Sequence, residues 1–246
     1  MSDVVLGMEN LTRRFGTFTA VDAVTLSVNA GEVFARSGAM PTGNIPYLDF
    51  IAPGILAQSV LFVAIFYGIN VIWERDLGIV RRFLASPTPR AALVLGKGLS
   101  AGVRTLSQAA IVYTISLFLG VKLSWSPAGL LNVLVIVIIA TTMFATFSLI
   151  IACLVKTCER FMGVGQSLTM PLFFASSAIY PTDIMPGWLK TISRLNPLTY
   201  VVDALRATML TGSTSTFGLR YDYAVMLLTT AALVLVCARL YPRLAI

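Results

Sequence analysis

The chain has 246 residues, 57% of them hydrophobic and 12% charged, with a mean hydropathy of +0.85. Soluble domains carry about 25% charged residues, so the composition excludes an ordinary soluble domain and predicts an integral membrane protein. The formal charge of +7 fits anionic lipid headgroups and membrane topology, and no nucleic-acid partner is expected. There is no histidine, which removes imidazole metal sites and histidine-based catalysis. Cys153, Cys158 and Cys237 lie in or beside apolar runs without metal-ligand spacing, so neither a metal nor a cofactor is expected.

No signal peptide opens the chain: the start is mixed and charged, without an apolar h-region. Met1 to Gly31 alternates apolar and polar residues in strand-like runs, with Val24, Leu26 and Val28 on one face of a strand. This stretch resembles the first strands of an ABC-transporter ATPase domain, through Phe15, Ala20-Val21-Asp22 and Gly31-Glu32-Val33-Phe34. The resemblance implies that an aromatic near Phe15 would stack on adenine. The phosphate-binding loop that should follow is broken. Gly38 and Gly43 have its spacing, but Asn44 stands where a lysine must reach phosphate and Ile45 where a hydroxyl must hold Mg²⁺. Pro41 also removes one N–H. The expectation is a truncated ATPase-like fragment over residues 1–40, without a nucleotide site, joined to a membrane domain over residues 46–246.

From Pro46 onward the pattern is that of an all-α polytopic membrane protein with about five transmembrane helices, preceded by the short β-like segment. Ile51 to Trp73 and Thr105 to Val121 contain no charged residue. The expected spans are Pro53 to Trp73, with Pro53 at the helix start, Leu99 to Val121, a third within Ala128 to Val155, Phe161 to Ile179 with a kink at Pro171, and Tyr223 to Leu240. Arg104 reads as an arginine snorkelling to headgroups, with a substrate contact as the alternative. Tyr180 to Asp222 is too polar to span. Trp188, Leu189, Ile192, Leu195 and Leu198, set among Lys190, Arg194 and Asn196, predict an amphipathic helix at the outer interface. Trp188 and Tyr200 are expected at headgroup level, and Asp203 and Arg206 as an exposed i,i+3 pair.

Between the first two spans lies the one densely charged loop, Trp73 to Lys97, with Arg75, Arg81, Arg82, Arg90 and Lys97. Short loops rich in Lys and Arg stay in the cytoplasm, so this loop is expected inside. Arg239 and Arg243 then hold the C-terminus inside, and five spans place Met1 outside. Asp76 to Ala85 interleaves Leu77, Ile79, Val80, Phe83 and Leu84 with Arg81 and Arg82, an amphipathic helix ended by Ser86-Pro87. It can rest on lipid or dock a partner. Glu74 is expected either to act in coupling or to pair locally with Arg75.

Three motifs together resemble the type 2 ABC exporter permeases, of the daunorubicin-resistance kind. They are Tyr47-Leu48-Asp49-Phe50-Ile51-Ala52-Pro53-Gly54; Glu74-Arg75-Asp76-Leu77-Gly78 with Leu84-Ala85-Ser86-Pro87 and Gly96-Lys97; and Asn196-Pro197-Leu198-Thr199-Tyr200 with Asp203-Ala204-Leu205-Arg206. The resemblance covers about Pro46 to Ile246 and implies a six-span fold whose first span would precede Tyr47. It implies a permease subunit that exports an amphiphilic drug or lipid-like molecule from the cell (plasma or inner) membrane. Its partners would be a separate ATPase subunit, a second permease copy and membrane lipid. It further implies that Glu74, Arg75, Gly78, Arg81, Arg82 and Pro87 couple to the ATPase, and that Asn196, Pro197, Asp203 and Arg206 form a motif at the outer interface. No paired carboxylates, nucleophile–base set or metal cluster suggests an enzyme. The alternative is a non-transporting truncated fusion acting as a membrane-anchored interaction protein; an ion channel is weaker, because no ring-forming acidic or carbonyl-rich pore motif is present.

Overall fold

The computed structural model describes residues 4–15, 18–29, 47–85, 87–155, 157–182 and 185–242. It divides into two units, Met1–Pro41 and Thr42–Ile246. In the first, β1 (Val4–Phe15) and β2 (Phe18–Asn29) pair antiparallel. The register runs from Val4 opposite Asn29 to Phe15 opposite Phe18, with irregularities along the way. At one of these Asn10 takes a φ of 54° and donates its N–H to Thr25 Oγ1 at 3.1 Å; asparagine tolerates this left-handed conformation better than most residues. A two-stranded hairpin by itself is marginal in water. Gly31 to Phe34 and the broken phosphate loop, Gly38 to Ile45, lie outside the described residues.

The second unit contains α1 (Tyr47–Asp76), α2 (Ile79–Leu84), α3 (Arg90–Phe118), α4 (Pro127–Leu154), α5 (Cys158–Phe174), α6 (Gly187–Leu195), α7 (Pro197–Met209) and α8 (Leu219–Leu240). It is the all-helical polytopic unit expected. Each of the five expected spans has a helix. Three of them are long and apolar enough to cross a bilayer: Leu48–Asp76, Pro127–Leu154 and Leu219–Leu240. The other two differ for physical reasons. Arg104 and Gln108 dilute the apolar run of α3, and α5 has 17 residues, fewer than the ~20 that a straight span needs.

Helix ends also differ from expectation. Pro53 does not open α1 but lies inside it, where it removes the N–H that would bond the Asp49 carbonyl. Pro89 caps α3, which therefore begins at Arg90. Pro171 does not kink a helix that runs on to Ile179; it lies in the last turn of α5, which ends at Phe174.

The apolar helix α4 packs against α1, α3, α5, α7 and α8. Its interfaces use small residues, which let helix backbones approach when no water is expelled to drive association. Gly98 and Gly102, a GxxxG pair, face Thr142 and Ile138. Gly68 on α1 faces Ser148, whose hydroxyl donates to the Ile65 carbonyl and accepts the Gly68 N–H at 3.1 Å. Gly54 lies against the Ala178 carbonyl, in the non-helical stretch after α5. A side chain at Gly54 would strike the Ala178 backbone, and one at Gly68 or Gly98 would strike the side chains of Ser148, Phe161 or Thr142.

Candidate functional site

Two polar assemblies lie at opposite ends of the helical unit. The first is built where α1 meets α2. The expected helix over Asp76 to Ala85 is shorter: α1 continues to Asp76, and α2 begins only at Ile79. Between them Gly78 has φ 72°, a left-handed geometry that glycine adopts without strain. The break turns the chain so that Val80 is fully buried among Val71, Val94, Leu149, Val234, Cys237 and Tyr241. Arg81, Arg82 and Pro87 stay exposed.

Glu74 does not pair with its neighbour Arg75. It binds Lys97 of α3, whose side chain is only 12% exposed, while Arg75 pairs with Asp76 at 3.1 Å. The partner comes from another element: packing of α1 against α3 brings Lys97, 23 residues farther along the chain, to Glu74. Lys97 also lies 5.7 Å from the centroid of the Phe83 ring. One lysine on α3 thus touches α1 through Glu74 and α2 through Phe83. Arg104, farther along α3, is exposed.

The second assembly surrounds α7, at the end where α1 starts and α8 begins. Asn196 is the N-cap of α7: its Oδ1 accepts the Leu198 N–H at 3.0 Å. Its Nδ2 donates to the Leu172 carbonyl at 2.6 Å, in the last turn of α5. Pro197 occupies the first helical position, where its missing N–H costs nothing. Thr199 Oγ1 and Tyr200 OH donate to the Ser193 and Arg194 carbonyls at 2.7 and 2.6 Å, so the end of α6 is sealed by α7.

α7 is not a surface helix, contrary to expectation. Asn196, Tyr200, Asp203 and Arg206 are all buried, whereas Trp188 on α6 is 68% exposed. Nor do Asp203 and Arg206 bond each other. Asp203 accepts hydrogen bonds from Ser215 Oγ, Thr216 N–H, Thr216 Oγ1 and Phe217 N–H at 2.8–3.1 Å. Arg206 lies 4.0 Å above the Phe50 ring of α1 and donates from Nη2 to the Ser177 carbonyl at 3.0 Å. Burial pushes its guanidinium down to about 10, with the Asp203 charge acting in the opposite direction. The two side chains find different partners: the α7–α8 loop surrounds the carboxylate with donors, whereas the guanidinium takes the Phe50 ring and the Ser177 carbonyl and keeps a buried Nε without a hydrogen-bond partner.

Asp49 adds to this end by accepting the Lys122 N–H at 3.2 Å. The segment after α3 is then stitched to the end of α7 by Ser124 N–H to Met209 O at 2.8 Å and Thr211 N–H to Lys122 O at 3.1 Å. Ser215, Thr216, Asp222, Phe50 and the Lys97 partnership were not read from sequence. The available signal was the run Ser213-Thr214-Ser215-Thr216 between two acidic helix residues. Among the described residues there is no cluster of three metal-ligating side chains.

A bundle of long apolar helices, with one basic turn and one buried polar cap, is the architecture of a polytopic membrane protein. The chain belongs to the ABC-2 type transporter family, whose profile matches residues 11–210. The transport permease ycf38 of Cyanophora paradoxa is 32% identical over 163 residues, covering 65% of this chain and 55% of that protein. The daunorubicin resistance ABC transporter permease protein DrrB1 of Streptomyces coeruleorubidus is 26% identical over 207 residues, 84% of this chain and 71% of the relative. Nodulation protein J of Rhizobium leguminosarum bv. trifolii is 25% identical over 170 residues, 68% and 64%. The chain therefore spans between about half and seven tenths of the length of these relatives.

Proposed function

We propose that this chain is the permease subunit of an ABC exporter in the cell membrane. It moves an amphiphilic drug or lipid-like substrate and is driven by ATP hydrolysis on a separate subunit. The observation that carries this reading is the basic turn of a chain in the ABC-2 family: α2 exposes Arg81 and Arg82 to a partner while burying Val80 beneath them. A push on α2 passes through Val80 to α3, α4 and α8, which share its cluster, and through Lys97 to α1. Glu74, Arg75, Gly78, Arg81, Arg82 and Pro87 are the coupling residues on this reading. Asn196, Pro197, Asp203 and Arg206 fix the opposite end, so that a push tilts helices as rigid bodies and shifts the population between inward- and outward-open states.

Two features support the remaining partners. α5 buries the single stripe Phe161, Gly165, Thr169 and Phe173 and leaves Met162, Gln166 and Met170 exposed, a face suited to a second permease copy. An apolar groove of about 90 Å³ between the start of α1 and the end of α3, with Leu48, Ile55, Ile115 and Leu119 in its walls, suits lipid chains. An efflux assay in cells expressing the chain with a matched ATPase subunit tests the reading. ATP-dependent export above background is expected, and its absence with both subunits in the membrane rejects the proposal.

A further inference from the structure

The loop between α7 and α8 poses a problem of proton counting. Ser215 Oγ accepts the Gly218 N–H at 2.7 Å. The same oxygen lies 2.9 Å from Asp203 Oδ2 and 2.8 Å from Asp222 Oδ2. A serine hydroxyl has one proton to donate and two lone pairs to accept with. If both carboxyls were ionised, one of the two contacts would set a bare hydroxyl lone pair against a carboxylate oxygen.

The two carboxyls are not equivalent. Asp203 receives Thr216 N–H, Thr216 Oγ1 and Phe217 N–H besides Ser215. Four donors fill the acceptor capacity of an ionised carboxylate. Asp222, at the start of α8, has only Ser215. Its Oδ1 is buried without a hydrogen-bond partner, and the residue is 0% exposed. An anion buried with one shared donor is far more costly than a neutral acid in the same place.

We propose that Asp222 is a proton-binding site that latches α8 to the α7–α8 loop. Its Oδ2–H donates to Ser215 Oγ, and Ser215 donates its own proton to ionised Asp203. Ser215 then accepts two hydrogen bonds and donates one, and every contact around it has a proton. Of the ionisable groups around the site, α7 contributes Asp203, Tyr200 and Arg206, whose positive charge opposes that of Asp203. On α8 itself Tyr221 packs 5.8 Å from Tyr200. α4 offers no ionisable side chain from Pro127 to Met143, only Asn132 to the Tyr223 hydroxyl at 3.2 Å. The buried contacts of α3 with α8 lie at the other end, at Val94 beside Val234 and Cys237. Arg220, two positions before Asp222 on α8, is exposed; among the described residues no cation bonds Asp222, and loss of its proton leaves two anions on one hydroxyl. The Ser215–Asp222 link then opens while Asp203 keeps its loop donors. The latch is closed in acid and released as pH rises. It stands independently of whether the chain transports anything.

Infrared difference spectroscopy on the purified full chain in lipid nanodiscs tests this. A protonated-carboxyl C=O band that fades as pH rises and is missing in Asp222→Asn is expected; an unchanged spectrum in that variant overturns the proposal. Thermal unfolding gives the second reading. An asparagine amide can donate to Ser215 Oγ as the acid does, so Asp222→Asn keeps the wild-type Tm and loses its decline with rising pH. Asp222→Ala and Asp203→Asn lower Tm at every pH. A Tm for Asp222→Asn as low as that of Asp222→Ala, or a failure of Asp222→Asn to fold, overturns the assignment of the proton to Asp222.

Discussion

Asn196 serves two helices at once. Its side chain caps the first turn of α7 and ties off a carbonyl in the last turn of α5. A lost asparagine N-cap costs about 0.5–2 kcal/mol, and here the Leu172 carbonyl loses its Asn196 partner as well. Asn196→Ala is therefore expected to destabilise the unit by about 2 kcal/mol, read as a lower Tm in detergent, with the family motif otherwise intact. Gly98 shows the opposite use of a small residue. A side chain there would strike Thr142 of α4, so Gly98→Leu should separate α3 from α4. The expected outcome is loss of monodisperse protein on size-exclusion chromatography, while Gly96→Leu, which has open space around its Cα, leaves the profile unchanged.

At the scale of elements, the α1–α2 turn is set by one backbone angle and one ion pair. Proline fixes φ near −65°, which cannot meet the 72° found at Gly78. Gly78→Pro should therefore re-aim α2 and withdraw Val80 from its cluster. Glu74→Ala leaves Lys97 without its carboxylate, a larger loss than the ~0.3–0.5 kcal/mol of an exposed helical pair because the lysine is mostly buried. Both variants are expected to insert into the membrane and to leave ATP hydrolysis by the partner running, while export falls to background. Unchanged export in both removes the turn from the coupling mechanism.

For the whole molecule, the helices α1, α3, α4, α5 and α8 place α2 and α6 at opposite ends, and the basic α2 end is the one expected in the cytoplasm. With Cys153, Cys158 and Cys237 replaced, a cysteine at Trp188 should react with a membrane-impermeant thiol reagent in intact cells. A cysteine at Arg82 should react only after permeabilisation. The reverse pattern would invert the molecule and leave the proposed ATPase docking site facing outward.

The sequence by itself determined the class, the place of the five main helices and the place of the basic turn, though not that only three of those helices are long and apolar enough to cross a bilayer. Apolar runs of bilayer length and clusters of Lys and Arg are local properties of the chain, and they survive any packing. The GxxxG pair of α3, Gly98 and Gly102, was not read from the sequence, because its meaning lies in the α4 residues it faces. Partners were equally out of reach. Whether Glu74 meets Arg75 or Lys97, and whether Asp203 meets Arg206 or the 215–217 loop, depends on residues brought from far along the chain. Side-chain spacing on one helix offers a pair but cannot weigh it against donors arriving from another element. The same reason hid the burial of α7, whose polar residues read as a surface until the loops and helix ends around it supplied hydrogen-bond partners. Tertiary structure alone decided which charges are paired and which carboxyl lies without a second donor, because burial converts a solvated group into one that must be satisfied from within.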